Sequence, residues 1–268
     1  MTKHMYIPDT QVKPGVPLDH LDWAGHYMVD KKPDVVVMAG DFADMESLCS
    51  YDIGKKSFEG RRYKADIEVA HEAMRRLLTP LWTFNSKAVK NHEKRYSPTL
   101  VMLGGNHEQR IVTAVEQDAK LEGMLSLEDL GYEGYGWEVI PFLQPVVIDG
   151  IAYSHYFPSG VLGRATTSAR ALLTKMHMSC VAGHLQGRDI AYGKRADGQE
   201  ITAIIAGSYY QHDEAYLSPF TNTHWRGLYM FHDVRNGSFD EMAVSLKYLK
   251  EKYSERTLLG ESVQKGAE

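Results

Sequence analysis

The stretch VMLGGNHEQR, residues 101–110, runs an apolar segment into two glycines and then into an amide, an imidazole and a carboxylate: Asn106, His107 and Glu108. Val101 to Leu103 read as the end of a buried strand, so core-forming chain is used here to deliver three polar side chains to one point. The same construction recurs along the sequence. HMYIP ends at Asp9, with Gln11 just beyond. VVVMAG (35–40) ends at Asp41, followed by Asp44. IAYSHY delivers His155, and MSCVAG delivers His184 and then Gln186.

The segments between these strands set the fold class. Helical spacing from Leu18 to Val29 is stopped by KKP, and Lys64 to Leu78 forms an amphipathic pattern that Pro80 is expected to end. TLVML (99–103) follows, with a helix predicted from about Glu108. This alternation predicts right-handed crossovers and a parallel sheet in the first half. In the second half, WEVIP, PVVID, IAYSHY, MSCVAG and ITAIIAGS are short strands separated by Gly or Pro turns, with a helix predicted over Gly163–Lys175. GLYMFHDV and MAVSLKYL are predicted to close the chain as strands. We therefore expect an α/β fold, a two-sheet sandwich in one domain over residues 1–253. Residues from about 50 to 98 are expected as a helical, basic insertion or cap. Residues 254–268 are expected as a loose polar tail.

Composition narrows the function classes. At 268 residues, 43% hydrophobic and 24% charged, the chain has the make-up of an ordinary globular protein. No segment approaches the roughly 20 apolar residues of a membrane span, so a cytoplasmic protein without a membrane partner is expected. Cys49 and Cys180 have no metal-type spacing and are expected to be reduced core residues. Net charge is −5, but between Lys55 and Arg95 eleven Lys/Arg stand against five Asp/Glu. That local +6, against −11 elsewhere, points to a polyanionic substrate or, more simply, to a solvated helical face.

Ligands of α/β sheets lie outside the carboxyl ends of the strands, so the five polar clusters are expected to converge. Carboxylates, an amide oxygen and neutral imidazoles are the donor set of a divalent cation, and there are enough of them for a pair sharing one carboxylate. The glycines before Asp41, Asn106 and His184 permit the close backbone approach such a centre needs.

In chain order, DTQ (9–11), GDFAD (40–44), GNHE (105–108), His155 and GHLQ (183–186) resemble the motif series of the calcineurin-like metallophosphoesterases. The resemblance spans residues 9–186 and implies a four-layer α/β/β/α sandwich. Within it, Asp9 would bind the first metal, Asp41 would bridge both, and Asn106, His155 and His184 would complete the second. His107 would act as general acid toward the leaving oxygen, oriented by Asp44, with a metal-bound hydroxide as nucleophile. Gln11 and Gln186 stand where the family pattern has His, both on the first metal. That site would be the weaker, oxygen-rich set Asp9, Gln11, Asp41 and Gln186. Two divalent ions are expected, Mn²⁺ preferred because it suits both oxygen and imidazole, with Mg²⁺, Fe and Zn²⁺ as alternatives.

Met45 stands where protein Ser/Thr phosphatases of this superfamily carry Arg, which argues against that branch. The sequence is more similar to the nuclease-like branch, often encoded by bacteriophages. A phosphodiesterase or nuclease acting on DNA or RNA is therefore expected, with small phosphoesters such as nucleotides as the alternative substrates. A non-catalytic metal-binding partner module is the third reading, suggested by the two Gln replacements. Candidate substrate contacts are Arg61 and Arg62, with interleaved aromatics, Arg110 beyond His107, and Tyr209 and His212 in GSYYQHDEAY.

Overall fold

In the computed structural model, which describes residues 2–214 and 217–264 (256–264 by backbone alone), the apolar runs become two stacked sheets. The first half alternates as expected: β1 (Thr2–Ile7), α1 (Asp19–Lys31), β2 (Val35–Met38), α2 (Tyr63–Lys90), β3 (Thr99–Leu103), α3 (Gln109–Gln117) and β4 (Glu138–Ile140). The second half holds β5 (Val146–Ile148), β6 (Ile151–Ser154), β7 (Pro158–Ser159), β8 (Arg164–Ala165), α4 (Ala169–Met176), β9 (Cys180–Ala182), β10 (Arg188–Lys194) and β11 (Glu200–Ala206). It closes with β12 (Gly227–Arg235), β13 (Ser238–Ser245) and α5 (Leu246–Gln264).

One sheet has the order β13-β12-β1-β2-β3-β4, and the other β10-β11-β9-β6-β5. Strands β1 to β4 are mutually parallel, as are β6, β9 and β11. Alternation along each strand divides the interior. From β1, β2 and β3, Met5, Ile7, Val36, Met38, Leu100 and Met102 face the helices α1, α2 and α5. Their neighbours Tyr6, Val35, Val37, Val101 and Leu103 point the other way, against Ile151, Tyr153, Val181 and Ile204 of the second sheet. Beyond that sheet, Cys180, Ala182 and Ala203 pack on Leu172 and Leu173 of α4. The two-residue side-chain period of a strand thus yields four layers, helix, sheet, sheet, helix. Both cysteines are buried and unpaired with one another.

Three expectations are corrected. Helix α2 does not end at Pro80 but runs through it to Lys90. A proline inside a helix costs about 3 kcal/mol, yet Leu77, Leu78 and Leu81 around it are buried against α1 and hold both halves in line. The helices touch at Gly25, where a Cβ would lie 2.3 Å from the Leu77 carbonyl oxygen. Second, the helix expected over 163–175 is shorter, starting at Ala169 with Ser168 as its side-chain cap, and a β7–β8 hairpin takes the preceding residues. Third, the chain does not end on a strand and loose tail. Helix α5 starts at Leu246 and docks through Leu249 and Tyr253, one turn apart, on the α1 side of the core. Tyr253 donates a hydrogen bond to Asp30 Oδ2 at 2.9 Å. The end of the expected tail, 265–268, lies outside the described residues.

Since Leu249 is fully buried and Lys247 is a solvated neighbour on the same helix, Leu249→Ala should lower unfolding free energy by about 2–5 kcal/mol. Lys247→Ala should change it by less than about 0.5 kcal/mol. Urea denaturation followed by circular dichroism reads both.

Candidate metal centre

The carboxyl ends of β1, β2, β3, β6 and β9 meet at one point between the sheets. Asp41 Oδ2 lies 3.4 Å from His155 Nε2, and Asn106 Oδ1 lies 2.8 Å from both His155 Nε2 and His184 Nδ1. Ligand atoms of Asp41, His155 and His184 all fall within 4.8 Å of one another. Asp9 joins from β1, its carboxylate accepting the His184 backbone N–H at 3.0 and 3.1 Å. Residues separated by as much as 175 positions thus share one buried cluster.

Backbone approach makes this possible. A Cβ at Gly183 would sit 2.3 Å from Asp9 Oδ1, and one at Gly105 would sit 2.1 Å from the Asp41 nitrogen. Only glycine fits either place. Gln11, Asp41 and His184 all have positive φ, the left-handed region that side chains rarely adopt and that concentrates at functional sites. Glu108 braces the arrangement: its carboxylate accepts the N–H groups of Asp41, Ala43 and Gly105 at 3.0–3.1 Å, tying the β2 loop to the β3 loop.

Electrostatics define the charge the cluster requires. Burial pushes the Asp9 carboxyl up, and the Asp41 charge adds to that although His155 opposes it. Burial acts on Asp41 too, but His107 and His155 beside it reverse the shift and hold Asp41 below the usual carboxylate range. Burial would depress His155, yet the Asp41 carboxylate raises it to about 9. His184, desolvated and next to His155, falls to about 4. Both nitrogens of His155 face oxygen acceptors, Nδ1 the Ala39 carbonyl at 2.9 Å and Nε2 the Asn106 amide oxygen. Asp41 thus favours a proton on His155 Nε2, between Asp41 and Asn106. A divalent cation there would replace that proton, and the Nδ1–H bond to Ala39 already fixes the ring with Nε2 as the ligand atom. The donor set Asp41, Asn106, His155 and His184 fits a cation.

The fit of the second, oxygen-rich position is partial. Gln11 Oε1 is buried with no hydrogen-bond partner, the state of a carbonyl that awaits one. Gln186 Oε1 accepts the Tyr210 hydroxyl at 2.8 Å, which leaves it one lone pair.

His107 and Asp44 lie beside the cluster. His107 Nε2 is 3.6 Å from Asp41 Oδ2, and Nδ1 is 2.8 Å from Asp44 Oδ1, an ion-pair contact bent out of line for a straight N–H···O bond. Burial would lower His107, but Asp41 and Asp44 raise it. Asp44 in turn is held low: burial would raise it, and His107, Lys13 and Arg110 outweigh that.

The expected substrate contacts are mostly paired within the protein already. Arg61 is ion-paired to Asp52 at 2.8 Å and Glu46 at 3.6 Å, closing its own loop. Arg110 donates to the Asp44 carbonyl at 2.6 Å and to Asp44 Oδ1 at 3.2 Å. Tyr209 is no rim residue: it is fully buried, its hydroxyl on the His20 carbonyl. His212 is bound to Glu214 at 2.7 Å. Arg62 alone is exposed. Sequence reasoning missed Lys13, Tyr156 and Glu214, and gave Glu108 no role. Tyr156 lies against His184 at a tilt, ring centres 4.7 Å apart, and meets Phe142 edge-on. Glu108 had a signal, since it closes the GNHE motif, but a carboxylate opening a helix has a simpler explanation.

No family model and no curated protein matches the chain. Among solved structures, it is similar over 91% of its length to the whole of YfcE, described as a phosphoesterase from E. coli, at 14% identity and a TM-score of 0.36. A second crystal structure is matched over 99% of its length and 91% of this chain, at 12% identity and a TM-score of 0.41. Likeness this slight says nothing about chemistry.

Because His155 holds its proton up to about 9, and that proton must leave before Nε2 can bind a cation, Mn²⁺ affinity should rise with pH by about tenfold per unit for each proton displaced. Isothermal titration calorimetry in buffers of different ionisation enthalpy should record proton release. Affinity that stays flat from about pH 6 to 8 would remove His155 from the ligand set.

Proposed function

We propose that this protein is a divalent-metal-dependent phosphoester hydrolase acting on phosphodiesters, with nucleic acid as its substrate. The observation that carries the reading is the meeting of Asp41, Asn106, His155 and His184 around one point, with His107 at its edge. The residues are those of the motif series that resembles the calcineurin-like metallophosphoesterases.

Two divalent ions, Mn²⁺ by preference, would supply Lewis-acid charge for the phosphate oxygens and activate water near neutral pH. Asp41, Asn106, His155 and His184 would hold one, and Asp9 and Asp41, with the Gln11 and Gln186 amides, would hold the weaker other. The protein's own part is positional. His107 has Nε2 toward Asp41 and Nδ1 toward Asp44, and a proton on Nε2 would serve the departing alkoxide. Asp41 and Asp44 both favour the charged imidazole, against the effect of burial. Phe142 and Tyr156, packed edge-on beside His184, would offer flat apolar surface to the group beyond the phosphate.

With Mn²⁺, the protein should hydrolyse bis-p-nitrophenyl phosphate. Asp41→Ala should abolish turnover, and His107→Ala should lower kcat by about 10²–10⁴-fold. Wild-type protein inert across Mn²⁺, Mg²⁺ and Zn²⁺, with His107→Ala indistinguishable from it, would favour a non-catalytic metal-binding module.

The nucleic-acid assignment rests on the basic segment, now reduced to its exposed cations. Arg61 and Arg110 are turned to carboxylates, and that inward pairing favours a second reading, a small phosphoester such as a nucleotide. Salt-dependent oligonucleotide binding separates the two. Lys56→Gln with Arg62→Gln should weaken binding and reduce the slope of log K against log[salt] by about 1–2. Unchanged binding, with nucleotides turned over and oligonucleotides ignored, selects the small substrate.

A further inference from the structure

The loop following β11 reaches back across the strand ends and forms an ion pair that the hydrolytic reading leaves unused. Lys13, two residues beyond Gln11, donates from Nζ to Asp44 Oδ2 at 2.9 Å and to both carboxylate oxygens of Glu214 at 2.9 Å. The Glu214 side chain is 4% exposed and also meets His212 Nε2 at 2.7 Å. Its backbone is pinned by Asn222, whose amide accepts the Glu214 N–H at 3.0 Å and returns a bond to the Glu214 carbonyl at 3.1 Å. His212 stacks on Tyr210 at 4.6 Å, and the Tyr210 hydroxyl holds Gln186.

Asp44 is the shared member. Its Oδ1 faces His107 Nδ1 at 2.8 Å and Arg110 Nη1 at 3.2 Å, while Oδ2 belongs to Lys13. A carboxylate bound through one oxygen can still turn about its own axis, whereas one bound through both cannot. Two carboxylates as buried as Asp44 and Glu214 also require a cation between them, and Lys13 fills that place.

We propose that Lys13 and Glu214 are positioning residues for His107: together they lock the Asp44 carboxylate, and through it the imidazole that faces the phosphoester. The proposal deepens the hydrolase reading and rests on it. It also makes the segment 207–214 a working part of the centre, holding the proton donor through Glu214 and Gln186 through Tyr210.

The test uses full-length, Mn²⁺-loaded protein and two diesters. One is thymidine p-nitrophenyl phosphate, whose leaving group needs no proton. The other is a thymidine dinucleotide, whose alkoxide leaving group does. Glu214→Gln keeps the side-chain shape and Lys13→Gln removes the cation. On the dinucleotide each should lower kcat by about 10–100-fold with KM unchanged. The p-nitrophenyl diester should be far less affected. Lys13→Arg should recover most of the loss. Neither change should add to Asp44→Asn, because all act through one contact. In metal-free protein, NMR should show the His107 ring resonances displaced in Glu214→Gln while thermal melting keeps a single folded transition. Equal losses on both diesters, losses additive with Asp44→Asn, or unmoved His107 resonances would overturn the proposal and leave a plain structural staple. If wild-type protein cleaves neither diester, the hydrolase reading falls by itself, and the His107 resonances alone decide whether Lys13 and Glu214 position the ring.

Discussion

Asp9 and Asp41 are buried carboxylates at the ends of neighbouring strands, in surroundings too dry to solvate two like charges. A compact arrangement of this kind survives only with positive charge inside it. Among the side chains here, His155 is raised toward its charged form by Asp41 and faces both Asp41 and Asn106. Much of the local geometry serves this point: glycines where a Cβ would strike a carboxylate oxygen or the Asp41 backbone, left-handed residues at the strand ends, and Glu108 stitching two loops by their N–H groups.

Charge is arranged in alternation outward from there. Asp41 lies between His155 and His107; His107 lies between Asp41 and Asp44; Asp44 is met by Lys13 and Arg110; Lys13 is shared with Glu214, which His212 completes. Along this series every carboxylate faces a basic side chain. In a low-dielectric interior this is how several charges coexist without displacing one another, and it leaves little freedom for any one of them to turn. Orientation of His107 is the chemical product of that stiffness.

The four layers were legible because alternation along a strand is a local property. Val35, Val36, Val37 and Met38 read as buried on both faces, and they are. Errors fell where long-range packing overrides local preference. Pro80 breaks an isolated helix, but not one whose Leu77, Leu78 and Leu81 are clamped against α1. Residues 246–253 look like a strand continuing into polar tail, since only Leu249 and Tyr253 mark a buried face, and two residues make a weak periodicity. Tyr209 reads as a site residue from its place after β11, yet the chain turns its ring inward to His20. Arg61 and Arg110 read as free cations because their partners, Glu46, Asp52 and Asp44, are only assigned when the loops close.

What the sequence alone determined is the order in which the strands deliver Asp9, Asp41, Asn106, His155 and His184 to one place, because strand-end placement is a property of residue type and spacing. The tertiary structure decided which ions neutralise which. Lys13 carries no signal of its own, and nothing local links it to Glu214, 201 positions away. Their contact exists only because the loop after β11 folds back over the strand ends, and Coulomb attraction depends on distance in space, which sequence separation does not fix.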